Sequence, residues 1–292
     1  MTELFKLEHT NADGLVEVPP FIPSGKGVLP FPGDISYVPS GDVINPDAVI
    51  GTDDRLLVVN LSDDLPYSAI VYLEILWDEN QPTSWCTGWL VGPSSVITAA
   101  HCIYDSTRQP YATPIRVRAF PGMSTGSVNP TPYGMCTEFE RWVPYEWIAQ
   151  GQSRYWDYGV YRLACRIGED SGYFGFMQTV DNNQLVELAG YPSHVNGIEV
   201  PKGSMYTGWG NVTFLEPTLA HYDADFSVGQ SGSPVWELEH PSCLPCAIAV
   251  HTTYCGPDNC GARVETNFLD LLLFDRFQFN INLVYLPLII KD

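Results

Sequence analysis

Proline and glycine interrupt this chain so often that long regular elements have little room. There are 24 Pro and 25 Gly in 292 residues, set between short runs rich in Val, Ile, Tyr, Trp and Thr. Proline removes an amide that a helix interior or a central strand needs, and glycine weakens both. The β-branched and aromatic residues between them suit a pleated, half-buried surface. The expectation is an all-β chain of many short strands and turns. Residues 268–277 stand apart, because their apolar positions recur at helical spacing and predict an amphipathic helix near the C-terminus. A hydrophobic content of 45%, with 13% aromatics, is enough for one large core or for two barrels sharing a cleft.

Three short stretches carry chemistry: Thr98-Ala99-Ala100-His101-Cys102, Trp156-Asp157-Tyr158-Gly159-Val160 and Gly229-Gln230-Ser231-Gly232-Ser233-Pro234. A hydroxyl is a weak nucleophile at neutral pH. It needs an imidazole to take its proton, and the imidazole needs a carboxylate to fix its tautomer. His101, Asp157 and Ser231 supply those parts in that order. Glycines at 229 and 232 let the backbone turn tightly, so that the N–H groups of Gly229 and Ser231 can both point at a developing oxyanion. The run before His101 reads as a buried strand that delivers the imidazole to the edge of a cleft. Asp105, Asp170 and Asp181 also lie between His101 and Ser231, but only Asp157 opens a strand-like run, Asp-Tyr-Gly-Val-Tyr-Arg-Leu. The order His, Asp, Ser excludes the α/β-hydrolase topology, where the order is Ser, acid, His.

A formal charge of −20, with 14 basic residues, repels phosphate backbones and anionic membranes, so neither nucleic acid nor membrane is expected as a partner. The same field favours cationic or neutral partners at long range. A local pocket cation outweighs it within about 10 Å, where salt has not yet screened the interaction. The charge therefore leaves substrate preference open.

These stretches resemble the chymotrypsin-like serine peptidases, and more closely their glutamyl endopeptidase branch. The resemblance extends to Val49-Ile50-Gly51-Thr52-Asp53-Asp54-Arg55, Pro66-Tyr67-Ser68-Ala69-Ile70-Val71-Tyr72 and Cys86-Thr87-Gly88-Trp89-Leu90-Val91-Gly92-Pro93. Phe120-Pro121-Gly122-Met123, Thr137-Glu138-Phe139 and Gly190-Tyr191-Pro192 continue it, over roughly residues 49 to 275. It implies a double six-stranded β-barrel with a C-terminal helix, an acyl-enzyme mechanism on protein or peptide substrates, no required cofactor or metal, and cleavage after acidic residues. A homologue that has lost turnover and serves as a binding module is the alternative of a different class, and the intact His, Asp and Ser argue against it. Monomer is the default state.

The eight cysteines form an even set that suits an oxidising compartment. Cys86 with Cys102 is expected first, a bridge worth about 3 kcal/mol in the chain-entropy account. Cys136 with Cys165 is a second candidate pair. Cys243, Cys246, Cys255 and Cys260 are open among three connectivities, with a zinc site as a rival reading. Location outside the cell is inferred from the cysteines and the resemblance, since Met1 to Leu15 holds no apolar core of the signal-peptide kind. The apolar tail, residues 281–290, is too short to span a bilayer and is broken by Pro287. Asn60-Leu61-Ser62 and Asn211-Val212-Thr213 are glycan acceptor sequences on a eukaryotic secretory route. Residues 1–48, dense in Pro and Gly, are expected to be a propeptide or an N-terminal extension before a peptidase domain of residues 49–292. Val49 or Ile50 is the expected mature start.

The segment before Ser231 and the strand after it are expected to wall the pocket for the side chain preceding the scissile bond. In the glutamyl branch a His in the later strand binds the substrate carboxylate, and His251 matches it, with Thr252 and Thr253 beside it. Where the branch has a Thr hydroxyl, five residues before Ser231, this chain has Phe226, and Ser227 follows it. Asp225 stands where trypsin-like enzymes carry the carboxylate for basic substrates. Acidic preference through His251 is the favoured reading, and basic preference through Asp225 is the alternative.

Overall fold

The computed structural model describes residues 17–28, 49–60, 64–108, 111–178, 180–238, 240, 243–277 and 285–286. Expectations about the first 16 residues, the stretch 29–48, the Leu61 and Ser62 positions of the first glycan sequence, and most of the apolar tail lie outside the described residues.

Two antiparallel barrels of six strands each make up the body. The first uses Ile70–Leu76, Ser84–Leu90, Ser95–Thr98, Arg116–Pro121, Cys136–Trp142 and Gly159–Leu163, and the pairing of Cys136–Trp142 with Gly159–Leu163 closes it. The second uses Leu185–Gly190, Tyr206–Leu215, Leu219–Tyr222, Pro234–Glu237, Cys246–Tyr254 and Asn259–Arg263, and the pairing of its last two strands closes it. Closure removes the open edges that short strands would otherwise present. Alternation is clearest in Arg116–Pro121, where Val117, Ala119 and Pro121 are buried while Arg116, Arg118 and Phe120 are more exposed. The strands bend at irregularities between Val212 and Phe214, Val235 and Trp236, and His251 and Thr253.

An aromatic stack joins the barrels. Phe174 meets Trp89 of the first barrel and Trp236 of the second edge-on, both at 5.6 Å between ring centroids. Tyr72 meets Tyr191 at 5.2 Å, and the Tyr191 hydroxyl donates to the Ile70 carbonyl. The predicted C-terminal helix forms over Thr266–Phe277 and buries Phe268, Leu269, Leu271 and Leu272. Both carboxylate oxygens of Glu265 accept from its first amides, those of Asn267 and Phe268, which caps the helix. Phe268 stacks on Tyr158, next to Asp157, at 4.5 Å.

Residues of the N-terminal stretch also pack on this body. Glu17–Val18 pairs with Phe176 and Met177, Phe21 stacks on Tyr173 at 4.8 Å, and Val18 is buried. All eight cysteines are bridged, as Cys86–Cys102, Cys136–Cys165, Cys243–Cys246 and Cys255–Cys260. The last four sulfurs are thus spent on local bridges, which overturns the zinc reading, since a metal needs thiolates. No helix among the described residues is long and apolar enough to cross a membrane.

A buried ion pair fastens the chain after Val49 to the loop before Ser231. Arg55 Nη2 and Nε reach Asp53 at 2.6 and 2.8 Å, and the side chains are 0% and 3% exposed. The remaining guanidinium donors go to Ser227 Oγ at 3.0 Å, Gln230 Oε1 at 2.5 Å and the His194 carbonyl at 3.0 Å. Burial disfavours the Asp53 carboxylate, but Arg55 and the Asn196 amide more than offset this and hold its carboxyl below the usual range. Replacing Arg55 with Met should lower stability by about 3–5 kcal/mol, because Asp53 is then left charged and buried. Asp53→Asn combined with Arg55→Met should cost less than the two single changes summed. Thermal melts of the three variants check this, and additive losses would show that the pair does not act as a unit.

Glu187 is a second buried carboxyl, in the strand Leu185–Gly190, and accepts from the Tyr67 hydroxyl at 2.7 Å and the Thr207 hydroxyl at 2.5 Å. Burial pushes it up to about 7, against the pull of those hydrogen bonds. A folded-state value above the unfolded one means that the folded protein holds this proton more tightly. The group's contribution is therefore present below the unfolded value and is lost as pH rises from about 4.3 towards 7. The melting temperature of Glu187→Gln should fall less over that interval than that of the parent. Parallel pH profiles for the two proteins would refute the assignment.

Candidate active site

His101 leaves the buried strand Ser95–Thr98 on a single 3-10 turn, Ala100–Cys102, and the Cys86–Cys102 bridge anchors that turn to the neighbouring strand. Asp157 ends another such turn, Arg154–Trp156, and precedes the strand Gly159–Leu163, which pairs with Ser95–Thr98. That pairing brings the two side chains together. Asp157 Oδ2 lies 2.8 Å from His101 Nδ1, and Asp157 Oδ1 accepts the His101 backbone N–H at 2.9 Å. The carboxylate is 6% exposed and the imidazole 35% exposed. Burial disfavours the imidazolium, yet the charge and hydrogen bond of Asp157 outweigh it, and the His101 pKa is raised. With Nδ1–H committed to the carboxylate, Nε2 is left as the proton acceptor.

Ser231 sits in the turn that follows Ser227. Gln230 N–H donates to the Ser227 carbonyl at 3.1 Å, Ser233 N–H to the Gln230 carbonyl at 3.0 Å, and Thr87 N–H to the Ser231 carbonyl at 2.9 Å. Gly229 and Gly232 adopt φ of +99° and +88°. A Cβ on Gly229 would strike the Tyr191 carbonyl and Trp85 Nε1, and one on Gly232 would strike Thr87 and Thr98. Only glycine fits at either position. Among the described residues the N–H groups of Gly229 and Ser231 have no acceptor, so both are available to an incoming oxygen. The Ser231 hydroxyl makes no hydrogen bond among the described residues; it lines the same cavity, of about 1040 Å³, as His101. Catalytic contacts commonly tighten only once substrate is bound.

The pocket walls divide the predicted substrate-binding residues. Thr252 and Thr253 line the cavity, as do Phe226, Val228, Tyr254 and Val49. His251 is fully buried behind Phe226, whose ring centroid lies 4.1 Å from the imidazole. Its Nδ1 meets the Tyr222 hydroxyl at 2.5 Å, and its Nε2 has no partner. Burial, reinforced by the His101 charge, pushes its pKa down to about 3, so the ring is neutral at working pH. Ser227 is buried away from the cavity, donates to the His194 carbonyl at 2.7 Å and accepts from Arg55. Asp225 is 3% exposed and accepts the backbone N–H groups of Ile50 at 2.7 Å and Asp54 at 3.3 Å. Burial, with the Asp53 and Asp54 carboxylates adding to it, pushes Asp225 up to about 7.

Sequence reasoning did not single out Gln152 and Arg154, which line the cavity, or the structural use of Arg55. The only available signals were the position of Arg154 three residues before Asp157 and the charge alternation in Asp53-Asp54-Arg55.

This arrangement matches known proteins. A family model described as Trypsin matches residues 62–228. A glutamyl endopeptidase of Bacillus licheniformis is 35% identical over 233 residues, 77% of this chain and 68% of that protein. A Bacillus subtilis protein named extracellular metalloprotease is 30% identical over 238 residues, 81% of this chain and 70% of that one. Among solved structures, a Glu endopeptidase in complex with MPD superposes with a TM-score of 0.64 at 25% identity, covering 78% of this chain and 99% of that one. A closed pair of six-stranded barrels, with His101, Asp157 and Ser231 brought to one cleft and these relatives alongside, places the chain in the trypsin family as a serine-type endopeptidase of the glutamyl endopeptidase branch.

Proposed function

We propose that Ser231 attacks the peptide carbonyl while His101 Nε2 takes its proton, that Asp157 holds the imidazolium, and that the N–H groups of Gly229 and Ser231 receive the oxyanion. The amine then leaves with the proton from His101, and water repeats the attack on the acyl-enzyme through the same base. The observation that carries this reading is the double contact of Asp157 with the imidazole and backbone of His101. The strand Cys246–Tyr254 supports substrate docking, because Thr252–Tyr254 pairs with Asn259–Arg263 on one side only and its other edge borders the cavity. An extended peptide adds to such an edge by main-chain hydrogen bonds.

Cleavage after acidic residues is the preference we infer. It rests on the glutamyl endopeptidase relative and on His251, whose neutral Nε2 is the unpartnered polar atom behind the pocket wall. With the Tyr222 hydroxyl donating to Nδ1, Nε2 carries the proton and donates to a carboxylate. The guest carboxylate reaches it once the Phe226 ring swings aside. One observation favours a second reading: Phe226 and Val228 present an apolar wall in the arrangement at hand, which suits a large apolar side chain. The basic-residue alternative is disfavoured, because Asp225 is enclosed by two backbone amides away from the cavity.

Residues 1–48 are read as a propeptide. A cut before Ile50 turns the amide that faces Asp225 at 2.7 Å into an ammonium group, which supplies the counter-charge that this buried carboxylate lacks among the described residues. Secretion fits the four disulfides.

Matched peptides with Glu, Asp, Phe or Arg before the scissile bond, tested before and after limited proteolysis near Val49, decide among these readings. Faster cleavage after Glu or Asp, confined to the processed form, is expected. Preference for Phe moves the assignment to the apolar reading. Ser231→Ala should fold normally and lose at least about 10⁴-fold in kcat. Phe226→Thr should raise the Glu-to-Phe ratio of kcat/KM by about tenfold, the worth of one hydrogen bond to a charged group. Because the His101 pKa is raised, activity should fall on acidification through a value above 6.5, and a midpoint below 6.5 would contradict the Asp157 coupling.

A further inference from the structure

Arg154 is the one accessible cation of the cleft. It shares the cavity with His101 and Ser231, and the only carboxylate among the lining residues, Asp157, is 6% exposed and held by His101. Arg154 opens the turn Arg154–Trp156 whose end is Asp157, so its backbone is fixed by the element that sets the catalytic carboxylate. Its side chain reaches across to the second barrel, where Nη1 lies 3.2 Å from Cys255 Sγ. That sulfur belongs to the Cys255–Cys260 bridge, is uncharged and is a weak acceptor. Among the described residues no carboxylate pairs with Arg154. In a chain with 34 acidic and 14 basic residues, an exposed guanidinium without an anion is unusual, because acidic side chains are plentiful.

The strand Thr252–Tyr254 gives the position of this cation relative to a bound peptide. Thr252 borders the pocket for the residue before the scissile bond, and Thr253 and Tyr254 continue along the cavity towards Cys255. A peptide lying on that edge places its earlier residues beside Tyr254 and Arg154. We propose that Arg154 forms a second acid-binding subsite, which takes the carboxylate of an Asp or Glu two to four residues before the scissile bond. This rests on the catalytic assignment of Ser231 and His101, and it is independent of which residue fills the first pocket. The guanidinium fork suits a carboxylate in a bidentate pair. The long-range field of a chain with a charge of −20 opposes acidic peptides, so a local cation has an effect where salt has screened the distant charges.

The test uses the processed enzyme and peptides identical except at the second, third and fourth positions before the cut, each carrying Asp, Glu, Ala or Lys in turn. An acid-over-Ala preference of about two- to fivefold in kcat/KM is expected at one of these positions, the size of an exposed ion pair. It should appear in KM, shrink as salt is raised, fall to about one in Arg154→Ala, persist in Arg154→Lys and turn towards Lys in Arg154→Glu. The same ratio should appear as relative Kd for these peptides on Ser231→Ala protein, so the subsite is measured even where turnover fails. A preference that survives in Arg154→Ala, or no acid preference at any of the three positions in either assay, overturns the proposal. An Arg154-dependent preference without any for acid at the scissile residue supports the subsite and refutes the acidic reading of the first pocket.

Discussion

The buried Asp53–Arg55 pair is the interaction on which the active-site loop depends. Three covalently distant pieces meet at one guanidinium: the segment after Val49, the loop Ser227–Gln230 and the His194 carbonyl. Moving two charges out of water is costly, and the attraction between them repays the cost only where every donor finds an acceptor. Arg55 meets that condition through Asp53, Ser227, Gln230 and His194. One consequence falls on substrate recognition. Ser227, one residue past the position where the branch has its pocket hydroxyl, has its oxygen committed to holding the loop and none left for a guest. A second consequence falls on processing. The segment fixed by Arg55 also presents the Ile50 and Asp54 amides to Asp225, so the chain end created by a cut is held within a few residues of the loop that carries Ser231.

Closed barrels explain why the chemistry sits where it does. Each six-stranded barrel satisfies its own edges and offers no free strand to a substrate, except where the ladder is irregular. The irregularity between His251 and Thr253 is such a place, since it frees the far edge of Thr252–Tyr254 beside the cavity. The catalytic groups come from both sides of the seam, His101 and Asp157 from the first barrel and Ser231 from the second. Their alignment therefore depends on the inter-barrel contacts. The Trp89, Phe174 and Trp236 stack and the Tyr72 and Tyr191 pair supply rigid aromatic area at that seam.

Much of this was legible in the sequence because it rests on local patterns. Gly229 and Gly232 announced backbone conformations that only glycine tolerates, the run before His101 announced a buried strand, and the spacing in residues 268–277 announced the helix that forms over Thr266–Phe277. The bridges between Cys86 and Cys102 and between Cys136 and Cys165 follow the expected pairs. What escaped was non-local. Nothing near Asp225 reveals that Ile50, 175 positions earlier, occupies its carboxylate. Ser227 reads as a pocket hydroxyl until Arg55 is seen to claim it. Glu17–Val18 lies in an irregular stretch, and its pairing with Phe176 and Met177 depends on a sheet edge formed 158 residues away.

The acid preference inferred for this enzyme then has an unusual physical basis. Arg55, the cation nearest the oxyanion loop, is consumed by Asp53, and His251 is too deeply buried to hold a proton of its own. A carboxylate entering the first pocket thus meets a neutral N–H donor, and recognition there is by hydrogen-bond geometry in a low-dielectric site, where a single well-placed donor counts for more than in water. Full charge is available only at the far end of the cleft, at Arg154, where solvent weakens it. Such a division separates the two contributions experimentally. The first-pocket preference should be insensitive to salt and flat with pH through the range in which His251 stays neutral, whereas the preference at Arg154 should decay with ionic strength. The ring of Phe226 then acts as the discriminator between guests, because only a side chain able to hydrogen-bond Nε2 of His251 recovers the stacking lost when that ring moves.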